Sequence, residues 1–506
     1  MTARTIKTLL VANRGEIALR VMRTCREMGI RTVAVYSDAD RDALHVRAAF
    51  AAVNIGPAPS AKSYLCADKI VQAALDTGAD AIHPGFGFLS ENAAFVRQVR
   101  EAGLIFVGPS PEAMEAMGDK IEARRRMLAA DVPVVPGTTE PAEDDATLVA
   151  DAERIGYPVM IKASAGGGGK GIRIVHTPDE LLPAAQRASS EAATAFGNGA
   201  VYLEKFLLEP RHIEVQIFGD SHGNVVHLGE RECSIQRRHQ KVVEERPSPL
   251  LNAELRERMG AMAVQAAKAI GYENAGTLEF LVDAERNFYM LEMNTRLQVE
   301  HPVTELTCGI DMVRWQMLVA QGEALPLSQD QITHDGHAIE CRLYAEDADN
   351  GFLPATGRVT RLELPQGPGV RVDSGLFDGM QVGLHYDPML AKISVHADDR
   401  EHAIARMIRA LAEVTITGVV TNLPFLRRVL ESEAFRSGRY DTGTIESNPE
   451  TFAPKVSEVR EQQVAVIAAV MAHVLRRRRG FVDRSEGAPA GTPSAWVDAY
   501  RPGGSR

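Results

Sequence analysis

The sequence has few cysteines and no long apolar run, and both shortages exclude whole classes of protein. Its five cysteines among 506 residues show no CxxC pair and no zinc spacing: Cys25, Cys66, Cys233, Cys308 and Cys341. Neither a disulfide framework nor a zinc site is predicted, and reduced thiols in a cytoplasmic protein are expected. No apolar stretch reaches the roughly 18 residues of a membrane span, and a strand predicted at residues 6–12 leaves no room for a targeting peptide.

Excess positive charge is also missing. The net charge of −11 argues against a nucleic-acid-binding surface, although a local basic groove for a small polyphosphate remains compatible with it. Hydrophobic residues make up 45% of the chain and charged residues 24%, as in an ordinary globular protein. A chain of 506 residues is too long for one core, and about three domains are expected.

Residues 1–118 alternate short apolar runs with helical patterns. Strands are predicted at "TLLVAN", "RTVAVYS", "DAIHPG" and "LIFVG", with helices at 16–29 and 67–78 between them. This order predicts a doubly wound parallel sheet that binds its ligands at the carboxyl ends of the strands. The first turn, "ANRGEIA", lacks the GxGxxG pattern, which disfavours a dinucleotide site.

The rest of the chain divides into four predicted segments. A linker helix is predicted over 119–133, and a small unit over 134–206 contains a run of glycines. Residues 207–450 are rich in hairpin signals and alternating patterns, which indicate a mostly antiparallel domain. The tail, residues 451–506, is a separate segment because it combines an apolar stretch with a run of four arginines. The predicted fold class is therefore multidomain, α/β followed by α+β.

The glycine run in "KASAGGGGKG", residues 162–171, admits several interpretations. A Walker A loop fails because position 164 is Ser and position 171 is Gly. A GxGxxG match exists, but a β-branched segment follows where that motif requires a helix, and a flexible linker conflicts with the strands on either side. The favoured interpretation is a hairpin whose amides close over a polyphosphate, and the alternative is a tight hairpin without a ligand. The glycines concerned are Gly166, Gly167, Gly168, Gly169 and Gly171.

Lys162 lies on the strand before the glycines and is predicted to point at the same phosphates. A lysine inside a strand is costly to bury without an anion. The lysine and the glycine run therefore support the same polyphosphate site.

The segment "GTLEFLVDAERNFYMLEMN" predicts a hairpin with strands at 277–282 and 288–294. Pairing about the turn would put Glu279 nearly opposite Glu292, with Asn294 on the same face as Glu292. Two facing carboxylates between apolar strands repel each other unless a hard cation such as Mg²⁺ or Mn²⁺ lies between them. A metal site is predicted here; an exposed polar face is the alternative.

A polyphosphate lid, a strand lysine and a carboxylate pair on a hairpin resemble the ATP-grasp superfamily, whose members make acyl phosphates from carboxylates and ATP. Longer motifs, among them "HPGFGFLSEN", "SIQRRHQKVVEE" and "EMNTRLQVEHPVTE", resemble the biotin carboxylase component of biotin-dependent carboxylases over residues 4–450. The resemblance implies three parts: an N-terminal α/β domain, an ATP-grasp lid and a C-terminal domain. It implies conversion of ATP, bicarbonate and biotin into carboxybiotin, ADP and phosphate.

The resemblance also implies a catalytic set. Glu300 in "LQVEHP" matches the general base that deprotonates bicarbonate. Arg342 in "ECR" matches the arginine that stabilises the enolate form of biotin. Contacts to bicarbonate and the γ-phosphate, through a guanidinium, an amide side chain, a backbone amide and an ammonium, fall to Arg296, Gln298, Val299 and Lys241.

For the nucleotide, Lys120 and Lys162 match phosphate ligands. Positions that match contacts to adenine and ribose are Glu204, Lys205, His212, Gln236, His239 and Leu281. Each histidine taken alone would more often be an ordinary core or surface residue. Phe86 departs from the tyrosine that family members commonly carry in "HPGYGFLSEN", so a polar role at that position is not expected.

The sequence contains no Met-Lys-Met carrier motif, and Lys455 is its last lysine. The predicted partners are therefore a separate biotin carboxyl carrier protein and carboxyltransferase subunits, unless the chain is truncated, together with a homodimer or larger complex. An apolar helix at 464–475, followed by four arginines, is predicted to dock a partner; a self-packed tail is the alternative. Two rival functions remain, an ATP-grasp ligase that joins a carboxylate to an amine and a non-catalytic assembly subunit.

Overall fold

A computed structural model describes residues 4–142, 144–163, 172–454, 464, 466–471 and 473–474. The chain forms two compact units, residues 1–452 and 453–506. The glycines at 166–171, and with them the predicted phosphate lid, lie outside the described residues. Among the described residues, no helix has both the length and the apolar character of a membrane span.

The N-terminal part of the first unit contains the predicted parallel sheet. Its elements are β1 (Thr8–Val11), α1 (Gly15–Glu27), β2 (Arg31–Ser37), α2 (Leu44–Ala48), β3 (Ala51–Gly56), α3 (Ala67–Asp76), β4 (Ala81–His83), α4 (Ala93–Glu101) and β5 (Ile105–Phe106). The strands are parallel in the order β3-β2-β1-β4-β5. Leu9 packs into one core with α1, and its neighbour Leu10 packs into a second core with α3 and α4. Both faces of the sheet are covered, as doubly wound folds require.

Two helices, not one, follow this sheet: α5 (Pro111–Gly118) and α6 (Lys120–Ala129). The linker helix predicted over 119–133 corresponds to α6, which begins at the expected place and ends at Ala129. Asp119 has extended backbone, and its carboxylate accepts hydrogen bonds from the Ile121 and Glu122 amides, both at 2.9 Å. An aspartate in this position is a strong N-cap, so a new helix begins there.

The segment predicted as the lid has a sheet and a core of its own. Its elements are α7 (Asp145–Ile155), β6 (Val159–Ala163), β7 (Arg173–Val175), α8 (Pro178–Phe196) and β8 (Val201–Lys205). The sheet is antiparallel in the order β7-β6-β8. The strands on either side of the glycine run therefore pair as a hairpin, as predicted, with Val159 opposite Val175.

The predicted antiparallel region is built on one large sheet. Its strands are β9 (Arg211–Gly219), β10 (Val225–Arg237), β11 (Gln240–Arg246), β12 (Asn274–Val282), β13 (Phe288–Asn294), β14 (His337–Tyr344), β19 (Val370–Ser374) and β21 (Met389–Ala397). Their order is β13-β12-β9-β10-β11-β14-β21-β19. Side chains of β11, β14 and β21 alternate between two environments. Val243, Cys341 and Ile393 enter an aliphatic core, whereas Glu244, Arg342 and Lys392, each next to one of them along its strand, are charged and buried.

The remaining elements connect and cover this sheet. Short strands are β15 (Glu346–Asp347), β16 (Leu353–Pro354), β17 (Gly357–Arg358), β18 (Arg361–Glu363), β20 (Gln381–Val382) and β22 (Thr415–Thr417). Helices are α9 (Ala253–Ala269), α10 (His301–Cys308), α11 (Met312–Ala320), α12 (Arg400–Glu413), α13 (Leu423–Glu431), α14 (Glu433–Ser437), α15 (Thr444–Ser447) and α16 (Pro449–Phe452). In the second unit, the described residues of the predicted docking helix are helical and expose apolar side chains, including Ile467 and Val470.

Candidate active site

The hairpin of β12 and β13 has the predicted register. Glu279 pairs with Glu292, and Thr277 pairs with Asn294. The Asn294 amide Nδ2 donates to the Glu279 carboxylate at 2.8 Å. Glu279 is buried, whereas Glu292 opens into a cavity. The two acids therefore share one end of the hairpin with an amide oxygen, as expected from the sequence.

The donors at this end of the hairpin suit a hard cation. No hydrogen bond or ion pair within the described ranges engages the Glu292 carboxylate. The cavity walls and the facing Glu279 carboxylate raise the pKa of Glu292, while Lys120 opposes this shift. Two carboxylates and an amide oxygen match the oxygen ligands that Mg²⁺ prefers.

A second group of potential ligand atoms lies nearby. One atom each from His212, Glu214 and Glu279 lie within 4.8 Å of one another. The Lys241 ammonium already contacts both of these carboxylates. All three residues are also buried, whereas Glu292 opens into the cavity, so we regard this group as a buried ion-pair cluster and the Glu292 side of Glu279 as the candidate cation site.

Lys241 is the centre of that cluster. Its ammonium donates to Glu214 at 2.5 Å, to Glu279 at 2.9 Å and to Glu300 at 2.6 Å. Burial lowers the pKa of Lys241, but the three carboxylates outweigh burial and hold its pKa well above the ordinary value. One cation thus links the predicted metal ligand to the predicted base.

Glu300 is 1% exposed and lies between two cations. One of its oxygens accepts from Lys241, and the other accepts from the Arg342 guanidinium at 2.9 Å. Burial alone would raise the pKa of Glu300, but Lys241, Arg342 and Arg231 hold it well below its usual range. Glu300 is therefore a carboxylate at neutral pH, the form that a general base requires.

Arg342 joins Glu300 to a second buried acid. Its Nε donates to Glu244 at 2.5 Å, while its Nη2 donates to Glu300. Glu244 is fully buried on β11, and Arg342 is 8% exposed on the neighbouring β14. The guanidinium is held on two sides, so the direction of its remaining N–H groups is fixed.

Arg296 makes a similar set of contacts beyond the end of β13. It donates to Gln298 Oε1 at 2.7 Å, to Asn294 Oδ1 at 3.0 Å and to Glu91 Oε2 at 3.0 Å. The Gln298 amide in turn donates to Glu279 at 3.2 Å. The residues matched to bicarbonate and those matched to metal therefore form one hydrogen-bonded network.

The peptide that follows Val299 is held by a buried lysine. Lys392 on β21 is fully buried and donates to the Val299 carbonyl at 2.7 Å. Its ammonium also lies 3.2 Å from Glu16 on α1 and 5.9 Å from the centre of the Phe86 ring. Phe86 thus contributes a ring face to a cation, where a tyrosine would add a hydroxyl.

Beside the carboxylates lies a cavity of about 290 Å³. Its polar wall contains Lys120, Lys162, Glu204, Glu292 and Asn294, and much of the rest is lined by methionines. Lys162 donates to Glu204, which also pairs with Arg124 at 3.4 Å. Five of the predicted site residues from four segments of the chain therefore meet around one cavity with a basic and an apolar part.

The other predicted nucleotide contacts lie on β8, β9, β10 and β12 and in the β10–β11 turn. Lys205 donates to the carbonyls of Gly156 and Tyr157, both at 2.9 Å. Gln236 is buried opposite Lys241, and His239 is exposed at the tip of the β10–β11 turn with a φ of 65°. His212 Nε2 lies 2.9 Å from Glu279, and Leu281 on β12 is half-buried. Their contacts with a nucleotide stay predictions.

Family models match three consecutive segments of the chain. Residues 5–114 match the biotin carboxylase N-terminal domain, 119–328 the carbamoyl-phosphate synthase L chain ATP-binding domain, and 340–447 the biotin carboxylase C-terminal domain. The biotin carboxylase of Halalkalibacterium halodurans is 53% identical over 439 residues, which cover 87% of this chain and 97% of that protein. The chain belongs to the biotin carboxylase family.

Other biotin carboxylase relatives are longer or have solved structures. The mitochondrial methylcrotonoyl-CoA carboxylase subunit alpha of Glycine max is 53% identical over 446 residues, 88% of this chain, but the match spans 61% of that subunit. A crystal structure of the biotin carboxylase domain dimer of Hydrogenobacter thermophilus 2-oxoglutarate carboxylase, with MgADP, ADP and bicarbonate, has a TM-score of 0.85 at 47% identity. That match covers 90% of this chain and 100% of the domain.

Several residues of the biotin carboxylase site were not predicted from the sequence. Glu214 lies in the motif "RHIEVQ" and Glu244 in "KVVEE", yet neither received a role. Lys392, Arg231 and Glu91 are likewise defined only by their contacts in the fold. One signal in the sequence could have identified Glu214 and Lys392. Each is a charged residue at a position of a strand where an apolar residue is expected.

Proposed function

We propose that this chain uses ATP and bicarbonate to carboxylate biotin carried on a separate protein, through carboxyphosphate. The observation that carries the proposal is the ionised Glu300, which is buried between Lys241 and Arg342 and is connected through Lys241 to Glu279, the partner of the cavity residue Glu292. A base, two cations beside it and a cavity wall with two lysines are the groups that the reaction requires.

Bicarbonate is a poor electrophile, and phosphorylation activates it. Glu300 would accept the bicarbonate proton as the bicarbonate oxygen attacks the γ-phosphorus of ATP, which releases ADP. Arg296 would hold the planar oxyanion with its guanidinium fork, and Gln298 would add an amide contact. Lys241 would place positive charge where bicarbonate meets the phosphate.

Biotin must lose a proton from its ureido nitrogen before it accepts the carboxyl group. Charge then develops on the ureido oxygen. Arg342, held by Glu244 and Glu300, would direct its free N–H groups at that oxygen and stabilise the charge without reorganising.

Glu279, Glu292 and Asn294 would hold Mg²⁺, or Mn²⁺ in its place. When bound, the cation would neutralise the phosphate oxygens and the two facing carboxylates. Lys120 and Lys162 would contact the phosphates from the cavity wall, and the methionine-lined part would bind the adenine ring of ATP.

The final acceptor belongs to the complete carboxylase, of which this chain spans only a part when compared with the longer relatives. We propose a biotin carrier protein and carboxyltransferase subunits as partners, and a homodimer or larger complex, in keeping with the dimeric H. thermophilus domain. The acceptor is proposed to be an acyl-CoA, by similarity to the subunit from Glycine max.

The purified chain should cleave ATP only when Mg²⁺ (or Mn²⁺) and bicarbonate are both present, and faster with free biotin. Without bicarbonate, Glu300 has no proton to accept. Without the metal ion, Glu279 and Glu292 have no cation through which to hold ATP. Phosphate release measured with each component omitted in turn tests this. ATP cleavage that depends on an amine acceptor and ignores biotin would favour the rival ligase instead.

Removal of residues 453–506 should leave cleavage of ATP with free biotin within about two-fold of the full chain, because all proposed site residues lie in the first compact unit. The same truncation should weaken co-purification of the carrier or transferase if the apolar helix docks a partner. Loss of the free-biotin activity would show that the helix belongs to the catalytic unit.

A further inference from the structure

Behind Arg342, two buried acids face each other across neighbouring strands. Glu244 on β11 pairs with Glu340 on β14 in the sheet register, and both are fully buried. Side chains of such a pair point to the same face with Cβ atoms about 5 Å apart. The face is the polar one, opposite the aliphatic core that contains Val243 and Cys341.

The two acids have few partners. Glu244 accepts from Arg342 through one oxygen, and its Oε2 has no hydrogen-bond partner. Glu340 accepts from the Ser394 hydroxyl at 2.7 Å, and its Oε1 has no partner. No ion pair within the described residues engages Glu340. Each acid therefore has one buried oxygen left over.

Two ionised carboxylates in this arrangement would repel each other without water to screen them, and each would leave an oxygen unsatisfied. A single proton removes both problems, because a protonated carboxyl can donate to the carboxylate beside it. Glu244 has the arginine, so it is the acid that keeps its charge. The proton then falls to Glu340.

We propose that Glu340 is a neutral carboxylic acid that donates a hydrogen bond to Glu244 and so fixes Glu244 as the carboxylate that orients Arg342. Glu340 is thus a positioning residue, not a catalytic one. Its importance for catalysis rests on the proposed function, because it acts through the arginine assigned to biotin.

The electrostatic environment agrees with this assignment. Burial raises the pKa of Glu340 to about 8; Lys392 opposes the shift and the Glu244 carboxylate adds to it. Burial also raises the pKa of Glu244, to about 7, although Arg342 opposes this. The charged or titratable groups on this face, or packed against it from α1 and from the chain at the start of α10, include Glu244, Arg342, Lys392, Asp373, Arg371, Glu16, Glu300, His301 and Glu305.

The raised pKa values fix the sign of the pH dependence. The unfolded chain loses the Glu340 proton near pH 4, whereas the folded chain keeps it up to about pH 8. The stabilising contribution is therefore complete below about pH 4 and is lost as pH rises through about 8. Glutamine cannot titrate, so Glu340→Gln should gain stability relative to wild type as pH rises from about 5 to 9.

Infrared difference spectra of wild type minus Glu340→Gln at neutral pH, without substrates, provide the direct test. A carboxylic-acid carbonyl band is expected. The matched control is Glu245→Gln on the neighbouring strand β11: burial opposes ionisation there, but His337 and Arg400 hold the pKa of Glu245 at about 2. Its difference spectrum should show carboxylate bands. Carboxylate bands for Glu340 as well would overturn the proposal.

Activity gives a second test. Glu340→Leu should lower carboxybiotin formation by about ten-fold or more relative to bicarbonate-dependent ATP cleavage, since Glu244 loses its donor. Glu340→Gln should retain most of the wild-type carboxybiotin formation, because its amide donates to Glu244 and accepts from Ser394. Equal impairment of both variants would contradict the proposal. Absence of ATP cleavage in the wild-type protein would refute the proposed function, and the infrared result would still decide the state of Glu340.

Discussion

Replacement of Glu300 by glutamine is expected to lower turnover by about 10²- to 10⁴-fold while nucleotide binding stays close to wild type. An amide has nearly the same shape, but it cannot accept the bicarbonate proton. Nucleotide binding should persist because the cavity with Lys120 and Lys162 does not include Glu300. Steady-state ATP cleavage and calorimetric titration with a nucleotide separate the two effects.

A suitable control for this variant is Glu230→Gln. Glu230 is also buried in the large sheet and ion-paired to an arginine, Arg256 at 2.9 Å. This substitution should cost stability but leave turnover of the folded protein largely unchanged. Near-normal turnover in Glu300→Gln would remove Glu300 as the base.

Replacement of Lys241 by methionine is expected to reduce the free energy of unfolding by about 3–5 kcal/mol at pH 7 and to abolish measurable turnover. Methionine fills a similar volume but leaves Glu214, Glu279 and Glu300 facing one another with less compensating charge. In the wild type, the positive charge of Lys241 helps to lower the pKa of Glu279 and of Glu300. Their stabilising effect is present above the unfolded pKa and is lost as pH falls below about 4.

Chemical denaturation of both proteins at pH 7 and pH 4 measures this effect, and the difference in stability should narrow at the lower pH. Lys69→Met is the control, because Lys69 donates to two backbone carbonyls and forms no ion pair with a carboxylate in the part of the chain that the structure describes. It should cost only about 1 kcal/mol. A Lys241→Met protein as stable as wild type at pH 7 would mean that the three acids are already largely protonated.

Local pattern was sufficient for the hairpin that carries the proposed metal ligands. A polar turn between two alternating strands fixes the register, and the register alone sets Glu279 opposite Glu292. The same is true of the parallel sheet, where each strand and helix has its own apolar run. The linker helix predicted over 119–133 begins where expected, because Asp119 caps it, and ends at Ala129, before Asp131 with its positive φ of 55°.

The environment of the predicted base depended on long-range pairing. Lys241 and Glu300 are 59 residues apart, and Glu244 meets Arg342 only because β11 pairs with β14. Nothing in a single strand shows which distant strand will lie beside it. The resemblance to biotin carboxylases supplied the roles of Glu300 and Arg342, but their buried partners emerged only from the order of the sheet.

The alternation along β11, β14 and β21 also constrains how the chain reaches its native state. If β14 paired with β11 one residue out of register, Arg342 would enter the aliphatic core and Cys341 would face the buried acids. Such a mispaired sheet would bury several charges without partners, so it would be much less stable than the native sheet. The residues proposed to perform the chemistry thereby also help to select the native register, because only that register keeps the charged side chains of β11, β14 and β21 together on the polar face and out of the aliphatic core.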